Sequence, residues 1–146
     1  WASCGVLGAF ALDPLDTEAL AAIPGAAAML ERAAALDPAF NEGAIWEMLA
    51  AFYAAAPEAL GGGADKAAEA YQKALELSGG QRPSVYLLYA QSFCIPAQDG
   101  AGFDEALQKV LAIDPETQPH NKLTIAMSQE KARWLQDTKE DYFLGD

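Results

Sequence analysis

Histidine and cysteine are scarce in this sequence, and their scarcity argues against most enzyme chemistry. His120 is the only histidine, so no histidine pair can bind a metal. It follows Pro119 at a predicted helix start, where a structural or solvated role is typical. Cys4 and Cys94 are too far apart for a CxxC motif or a metal-ligand spacing. We therefore predict a protein that is not an enzyme, with no catalytic residue, no metal site and no cofactor.

The other reactive side chains lack the motifs that would activate them. None of the serines has a nearby histidine or a Gly-x-Ser-x-Gly context. The Gly61–Gly63 run is not followed by Lys and Ser or Thr, so a flexible turn is the better interpretation than a phosphate cradle. Each cysteine lies in an apolar stretch, which favours a small buried side chain. Whether Cys4 and Cys94 form a disulfide stays open, as does the redox compartment.

Positive charge is also scarce. The chain has 9 Lys and Arg against 21 Asp and Glu, a formal charge of −12. Such a surface repels phosphate backbones and anionic membranes, so we expect no nucleic acid and no lipid surface as a partner. We see no signal peptide, and we expect no apolar run long enough to span a bilayer. The chain opens at Trp1 without an initiator Met, which indicates the C-terminal part of a longer chain.

Strand patterns bounded by turns are missing as well, whereas apolar residues, many of them alanine, make up 52% of the chain. Alanine is the best helix former, and its small side chain lets helices approach closely. The 146 residues suit one domain that buries roughly two-thirds of its unfolded surface. We predict an all-α protein with a single helical-repeat domain over residues 1–146.

The stretch 41–80 has the spacing of a tetratricopeptide-type helical hairpin, with helices at about 42–58 and 65–78. Asn41 and Asp65 are the predicted N-caps, and Gly61–Gly63 is the predicted turn. The first-helix positions are Trp46, Leu49, Ala50 and Tyr53. The second-helix positions are Ala67, Tyr71, Ala74 and Gly79.

Imperfect copies of this hairpin flank it. Three segments align without gaps, namely 30–38, 71–79 and 107–115. In the third copy the first-helix positions are Tyr86, Tyr89, Ala90 and Phe93. The antiparallel hairpins are predicted at about 1–37, 42–78 and 83–114, stacked as a tetratricopeptide-repeat-like α-solenoid. In the first hairpin, residues 17–36 are predicted to be helical with a split near Ile23-Pro24-Gly25.

A long last helix, at about 119–141, is predicted to cap the open end of the stack. Its predicted apolar face consists of Leu123, Met127, Trp134 and Leu135. Glu130 interrupts that face. The alternative that this helix faces a pore, a groove or another subunit therefore stays open.

Partner or ligand contacts are expected on the concave face that the first helices of such hairpins line. The large aromatic residues at repeat positions are interpreted as core, although Tyr and Trp also serve in binding sites. The candidate contact residues are Asn41, Glu42, Ile45, Tyr86 and Gln91, together with Trp134 on the last helix.

Several segments match more than a generic repeat. They are Leu30–Ala33, Leu36–Ala44, Pro57–Gly62, Lys66-Ala67, Ala74–Gly80, Asp114-Pro115 and Gln129–Leu135. Together they resemble the T-component of TRAP transporters, the TatT-like family. The resemblance implies a helical repeat protein of the bacterial periplasm. Members are often lipid-anchored, here through a segment upstream of Trp1, since neither cysteine matches the family's lipid-attachment site.

The same resemblance implies partners and a role. Family members are thought to associate with the periplasmic solute-binding protein of a TRAP transporter, and they can form homotrimers pierced by pores. We therefore predict a non-enzymatic accessory and binding component of a TRAP-type solute uptake system. It would dock the solute-binding protein and, as a further hypothesis, a small hydrophobic or organic-acid ligand.

The alternative function is a general tetratricopeptide-type peptide-binding scaffold. Such a scaffold would need a groove with basic clamps for a peptide carboxylate. The nine Lys and Arg residues form no such cluster in the sequence, which ranks this alternative second.

Overall fold

The computed structural model describes residues 2–13 and 16–144, apart from the side chains of residues 10 and 11. Over these residues the chain is all-α, which confirms the predicted fold class, and it contains no strand. Its α-helices are α1 (Ala2–Leu12), α2 (Thr17–Leu36), α3 (Ala44–Ala55), α4 (Ala64–Leu77), α5 (Pro83–Tyr89), α6 (Ile95–Ala97), α7 (Gly100–Ala112) and α8 (Lys122–Asp137). A π-helical segment, Ala90–Cys94, joins α5 to α6, and short 3-10 turns occupy other connections.

The described chain divides into two units, one ending at Leu77 and the other beginning at Ser78. The first unit contains α1 to α4, and the second contains α5 to α8. The single domain over residues 1–146 and the stacking into an α-solenoid stay predictions. Trp1, Pro14 and Leu15, which belong to the first predicted hairpin, lie outside the described residues.

In the first unit, contacts between side chains define antiparallel neighbours. Lys73 of α4 lies over the ring of Trp46 in α3. Lys66, nearer the start of α4, lies over the ring of Tyr53, nearer the end of α3. Residue numbers that rise along α3 therefore fall along α4, as in a hairpin. The Tyr53 hydroxyl also donates to Glu31 of α2 at 2.8 Å, which ties the hairpin to the preceding helix.

Two glycines allow the close approaches in this hairpin. Gly43 has φ +85°, and a Cβ there would lie 3.0 Å from Cβ of Leu77 and 3.3 Å from Cα of Ala74. At Gly62 a Cβ would overlap the carbonyl oxygen of Ala56. Neither position can take a side chain unless backbone moves, so the hairpin's two ends depend on glycine.

Three details of the first unit differ from the sequence predictions. Helix α2 runs unbroken through Pro24, so the predicted split is wrong. Pro24 removes one helical hydrogen bond, but buried Ile23 and Ala26 on either side hold the helix against its neighbours. Asn41 is not the N-cap of α3, because the cap is Gly43. Asp65 lies inside the first turn of α4, which begins one residue earlier.

The length of α2 corrects another expectation. By length and composition, its 20 residues could cross a membrane. In this structure 28% of its most apolar 18-residue segment is buried inside the protein. An apolar core helix and a signal sequence have the same property. This apolar length is hard to see in the sequence, because alanine rather than leucine supplies most of the apolar residues of α2.

The second unit packs α5 and its π-helical continuation against α7, and α7 against α8. Asp99 is the N-cap of α7, and its carboxylate accepts a hydrogen bond from the backbone N–H of Gly102 at 2.9 Å. Lys139, after α8, pairs with Asp104 near the start of α7 at 2.6 Å. The core of this unit consists of Leu87, Ala90, Cys94, Phe103, Ala106, Leu107, Val110, Ala132 and Leu135.

Helix α8 turns a different face inward from the predicted one. Its buried residues are Ile125, Ser128, Ala132 and Leu135. Of the predicted apolar face, only Leu135 is buried, whereas Leu123, Met127 and Trp134 are exposed. Two faces of α8 have apolar spacing, and packing against α7 buries the face that contains Ile125 and Leu135.

Equivalent positions of the second and third predicted hairpins have equivalent environments. Ala50 and Ala90, aligned in sequence, are both fully buried. Lys73 pairs with Glu69 at 2.7 Å and lies 4.3 Å from the centroid of the Trp46 ring. At the aligned positions of the third hairpin, Lys109 pairs with Glu105, four residues before it. Lys109 also faces the ring of Tyr86, the aromatic residue of the first helix.

Candidate functional site

The six predicted contact residues fall into two groups. Asn41, Glu42 and Ile45 belong to the first unit, where the first two are exposed and Ile45 is half-buried. The others belong to the second unit, where Tyr86 and Gln91 are half-buried and Trp134 is exposed. Asn41, Glu42 and Ile45 lie in the segment Phe40–Trp46, which we call the 40–46 turn.

The backbone of the 40–46 turn is left-handed at three consecutive residues. Asn41, Glu42 and Gly43 have φ of 46°, 55° and 85°. Glycine adopts this conformation freely and asparagine tolerates it, but glutamate rarely does. Such residues cost on the order of 1–3 kcal/mol each, and they persist only where the surrounding structure holds them. Backbone strain of this kind is concentrated at functional sites.

Contacts with the rest of the hairpin hold this backbone. The indole N–H of Trp46 donates to the carbonyl oxygen of Pro38 at 3.1 Å, which closes the segment across its base. The ammonium of Lys73 covers the same indole ring, and Gly43 packs against Ala74 of α4. The 40–46 turn is thereby attached to both helices of the hairpin.

The turn presents an apolar side chain next to a carboxylate. Phe40 is 54% exposed although it is a large aromatic residue, and Glu42 is exposed two residues later. An aromatic side chain on a fixed backbone can insert into a partner's pocket with little loss of conformational entropy. A carboxylate beside it selects a basic rim on that partner. Both side chains are therefore accessible to a partner.

The predicted contact residues of the second unit have structural roles or separate surroundings. The hydroxyl of Tyr86 donates to the carbonyl oxygen of Gly80 at 3.1 Å and closes the loop before α5. Gln91 lies in the π-helical segment, a feature often found near functional sites. Trp134 contacts Tyr142 edge to face, with ring centroids 6.5 Å apart.

Burial keeps two groups with raised pKa values, Cys94 and Tyr53, protonated at neutral pH. Burial, reinforced by the charge of Asp99, raises the pKa of the Cys94 thiol to about 11. Burial and the hydrogen bond to Glu31 raise the pKa of Tyr53 to about 12. Both shifts oppose nucleophilic or general-base roles, which need the ionised form. Within residues 2–13 and 16–144, no three His, Cys, Asp or Glu side chains are grouped so that they could hold a metal ion.

Sequence reasoning missed the exposed residues Phe40, Leu123 and Met127. Phe40 stands just before an Asn-Glu-Gly run, and the asparagine and glycine of such a run indicate a turn that projects from the fold. No local signal distinguishes Leu123 and Met127 from core residues, because their spacing is that of a buried helix face.

The fold defines a class, that of all-α proteins built from packed helices. A sequence model of the family described as TRAP transporter T-component matches residues 1–143. An uncharacterized protein of Treponema pallidum (strain Nichols) is 46% identical over 144 residues, which are 99% of this chain and 45% of that protein. The chain belongs to the TRAP transporter T-component family, and it spans less than half the length of this relative.

Proposed function

We propose that this chain is a non-enzymatic accessory component of a TRAP-type uptake system that docks the solute-binding protein through the 40–46 turn. Membership of the T-component family supports a role in a TRAP transport system. The observation that carries the docking proposal is Phe40, an exposed aromatic side chain that directly precedes the left-handed residues of the 40–46 turn.

Charge supports the choice of this surface. The first unit has eleven Asp and Glu against three Lys and Arg, a formal charge of −8, and the second unit has ten against six, a charge of −4. A partner with a basic patch is therefore attracted more strongly to the first unit. Such attraction raises the association rate and discriminates against acidic partners, and it weakens as salt is added.

The direct test measures, by biolayer interferometry, the affinity between the full-length protein and the solute-binding protein of the same TRAP system. Phe40→Ala should weaken binding about tenfold or more, as loss of an aromatic anchor does. Leu36→Ala is the matched control, because Leu36 is also exposed and apolar but lies outside the turn. Unchanged affinity for Phe40→Ala, or no binding by the full-length protein, would overturn the proposal.

The remaining parts of the proposal concern location, assembly and ligand. We place the full-length protein in the periplasm, lipid-anchored through an upstream segment, and we carry forward a homotrimer and a small hydrophobic or organic-acid ligand. Cell fractionation tests the periplasmic location and the lipid anchor. Native mass spectrometry of the full-length protein measures oligomer and bound ligand together, and docking through the 40–46 turn does not depend on either result.

The peptide-scaffold alternative has no specific observation in its favour. Five of the nine basic side chains already pair with carboxylates, namely Lys73, Lys109, Lys122, Arg133 and Lys139. A clamp for a peptide carboxylate would need several basic side chains directed at one groove. Selective binding of free C-terminal peptides over their amides would restore this alternative.

A further inference from the structure

Large apolar side chains form an exposed row on one face of α8. Leu123 and Met127 are 74% and 64% exposed, and Trp134 is 53% exposed. Their spacings of four and seven residues place them along one stripe, which we call the α8 ridge. They are three of the four exposed large apolar residues in the described part of the second unit. Single exposed apolar residues are ordinary, whereas a row of this kind indicates a contact surface.

The ridge is held in place by the opposite face of the same helix. Ile125, Ala132 and Leu135 are fully buried there. The side-chain amide of Gln129 donates to the carbonyl oxygen of Ile113 at 2.8 Å, which ties α8 to the end of α7. A partner would therefore meet a preformed surface, and little ordering cost would oppose binding.

The spacing along the ridge suits another helix. Leu123, Met127, Glu130 and Trp134 follow the alternating four-and-three spacing of a coiled-coil seam. Lys131, one turn after Met127, flanks one side of the ridge, and Asp137 flanks the other. A helix laid along the ridge would place its own flanking charges opposite these groups.

Charge favours a protein helix over a membrane. Helix α8 has three basic and two acidic residues, a formal charge of +1, in a chain of charge −12. Lys122 and Arg133 pair with Glu116 and Glu130. Lys131 is exposed beside the ridge. An anionic bilayer would meet the repulsion of the whole chain, whereas a docked helix with one acidic flank places its carboxylates beside Lys131, within the screening distance of salt.

We propose that the α8 ridge docks an amphipathic helix of a partner protein. The apolar stripe of that helix packs on Leu123, Met127 and Trp134, and a carboxylate on its flank pairs with Lys131. This inference goes beyond the proposed docking of the solute-binding protein, because it concerns the second unit and uses none of the 40–46 turn. Either can fail while the other stands.

The test uses a synthetic amphipathic helix about three heptads long, with Leu at the seam positions, Glu along one flank and Lys along the other. Its binding to the full chain is measured by fluorescence polarisation, with a scrambled peptide alongside. Met127→Glu should weaken binding about tenfold or more. Met29→Glu should not, because Met29 is equally a half-exposed methionine but lies on α2. Circular dichroism verifies that both variants fold.

A charge exchange tests the orientation. Lys131→Glu should weaken binding of this peptide, and a peptide in which Lys replaces the flank of Glu should bind this variant again. Absence of binding, equal binding of the scrambled peptide, or equal binding by Met127→Glu would overturn the proposal. A dimer in sedimentation, or binding to phosphatidylglycerol vesicles, that Met127→Glu abolishes would also overturn it, since the ridge would then have a different occupant.

Discussion

The two units build their cores from side chains of different size. Among the described residues, eight of the fourteen buried apolar residues of the first unit are alanine, against three of twelve in the second. The second unit instead buries Phe103, Leu107, Ile125 and Leu135 completely. The first unit therefore depends on close approach of helix backbones, and the second depends on the volume of its side chains. The two should respond to opposite kinds of substitution.

The largest expected effect is loss of volume in the second unit. Phe103→Ala removes a fully buried ring that also contacts Phe143 at 5.0 Å between centroids. It should lower the free energy of unfolding by about 3–5 kcal/mol. Phe40→Ala, at an exposed phenylalanine, should change it by about 0.5 kcal/mol or less. Urea denaturation measures both, and a small loss for Phe103→Ala would contradict a volume-dependent core.

The reverse substitution should harm the first unit. Ala74→Leu adds volume at a fully buried position where α3 and α4 approach closely. Overpacking of this kind costs about 1–3 kcal/mol. Ala68→Leu on the exposed face of α4 is the matched control and should be near neutral. If the two variants were equally stable, the alanine core would have room that the account denies it.

Glycine at the entrance to α3 should also be required. Gly43→Ala forces a side chain into left-handed backbone and against Leu77, and it should lower the free energy of unfolding by about 1–2 kcal/mol. Gly25→Ala, inside α2 where a Cβ meets nothing within 4 Å, should raise it by up to about 1 kcal/mol. Thermal unfolding compares the two, and a shared sign would be inconsistent with this geometry.

High pH should destabilise both units through protonated buried groups. The folded-state pKa values of Cys94 and Tyr53 are raised to about 11 and about 12, so the folded state binds these protons more tightly than the unfolded state. The free energy of unfolding should therefore fall as pH rises above about 9 for Cys94 and above about 10 for Tyr53. For the thiol the loss is on the order of 1 kcal/mol by pH 10. Cys94→Ala should flatten the curve from pH 9 to 11, and Tyr53→Phe from pH 10 to 12. A curve that keeps its slope in both variants would assign the pH effect elsewhere.

The smallest expected difference lies between the aligned lysines. Lys73→Gln and Lys109→Gln each remove an exposed pair with a glutamate four residues away, worth about 0.3–0.5 kcal/mol. Lys73 is also 4.3 Å from its aromatic ring, whereas Lys109 is 5.8 Å from its ring. Lys73→Gln should therefore cost about 0.5 kcal/mol more. Equal losses would mean that the cation–π contact in the first unit adds nothing.

Sequence spacing predicted the features that repeat. The alignment placed Ala50 and Ala90 at equivalent positions, and both are fully buried because small side chains are needed where helices cross. Repeat spacing is a local property, and local helix geometry converts it into a shared face. The all-α class followed from the same reasoning.

Features set by tertiary packing could not be predicted in this way. The inward face of α8 was wrong because two faces of that helix have acceptable apolar spacing, and only contact with α7 selects between them. Asn41 was wrong as an N-cap because left-handed backbone continues through Gly43, which is therefore the N-cap of α3. Exposure of Phe40 follows from that same backbone, and contacts with α4 hold it in place.

The central claim is that the 40–46 turn is strained for recognition rather than for stability, and Glu42→Gly tests it most directly. Glycine accepts φ 55° without strain, so this variant should keep or raise the free energy of unfolding, while losing the carboxylate should weaken binding of the solute-binding protein. Both quantities can be measured on the same full-length sample by urea denaturation and biolayer interferometry. A variant that is more stable and binds more weakly agrees with the account. A variant that is less stable, or that binds as well as the original chain, contradicts it.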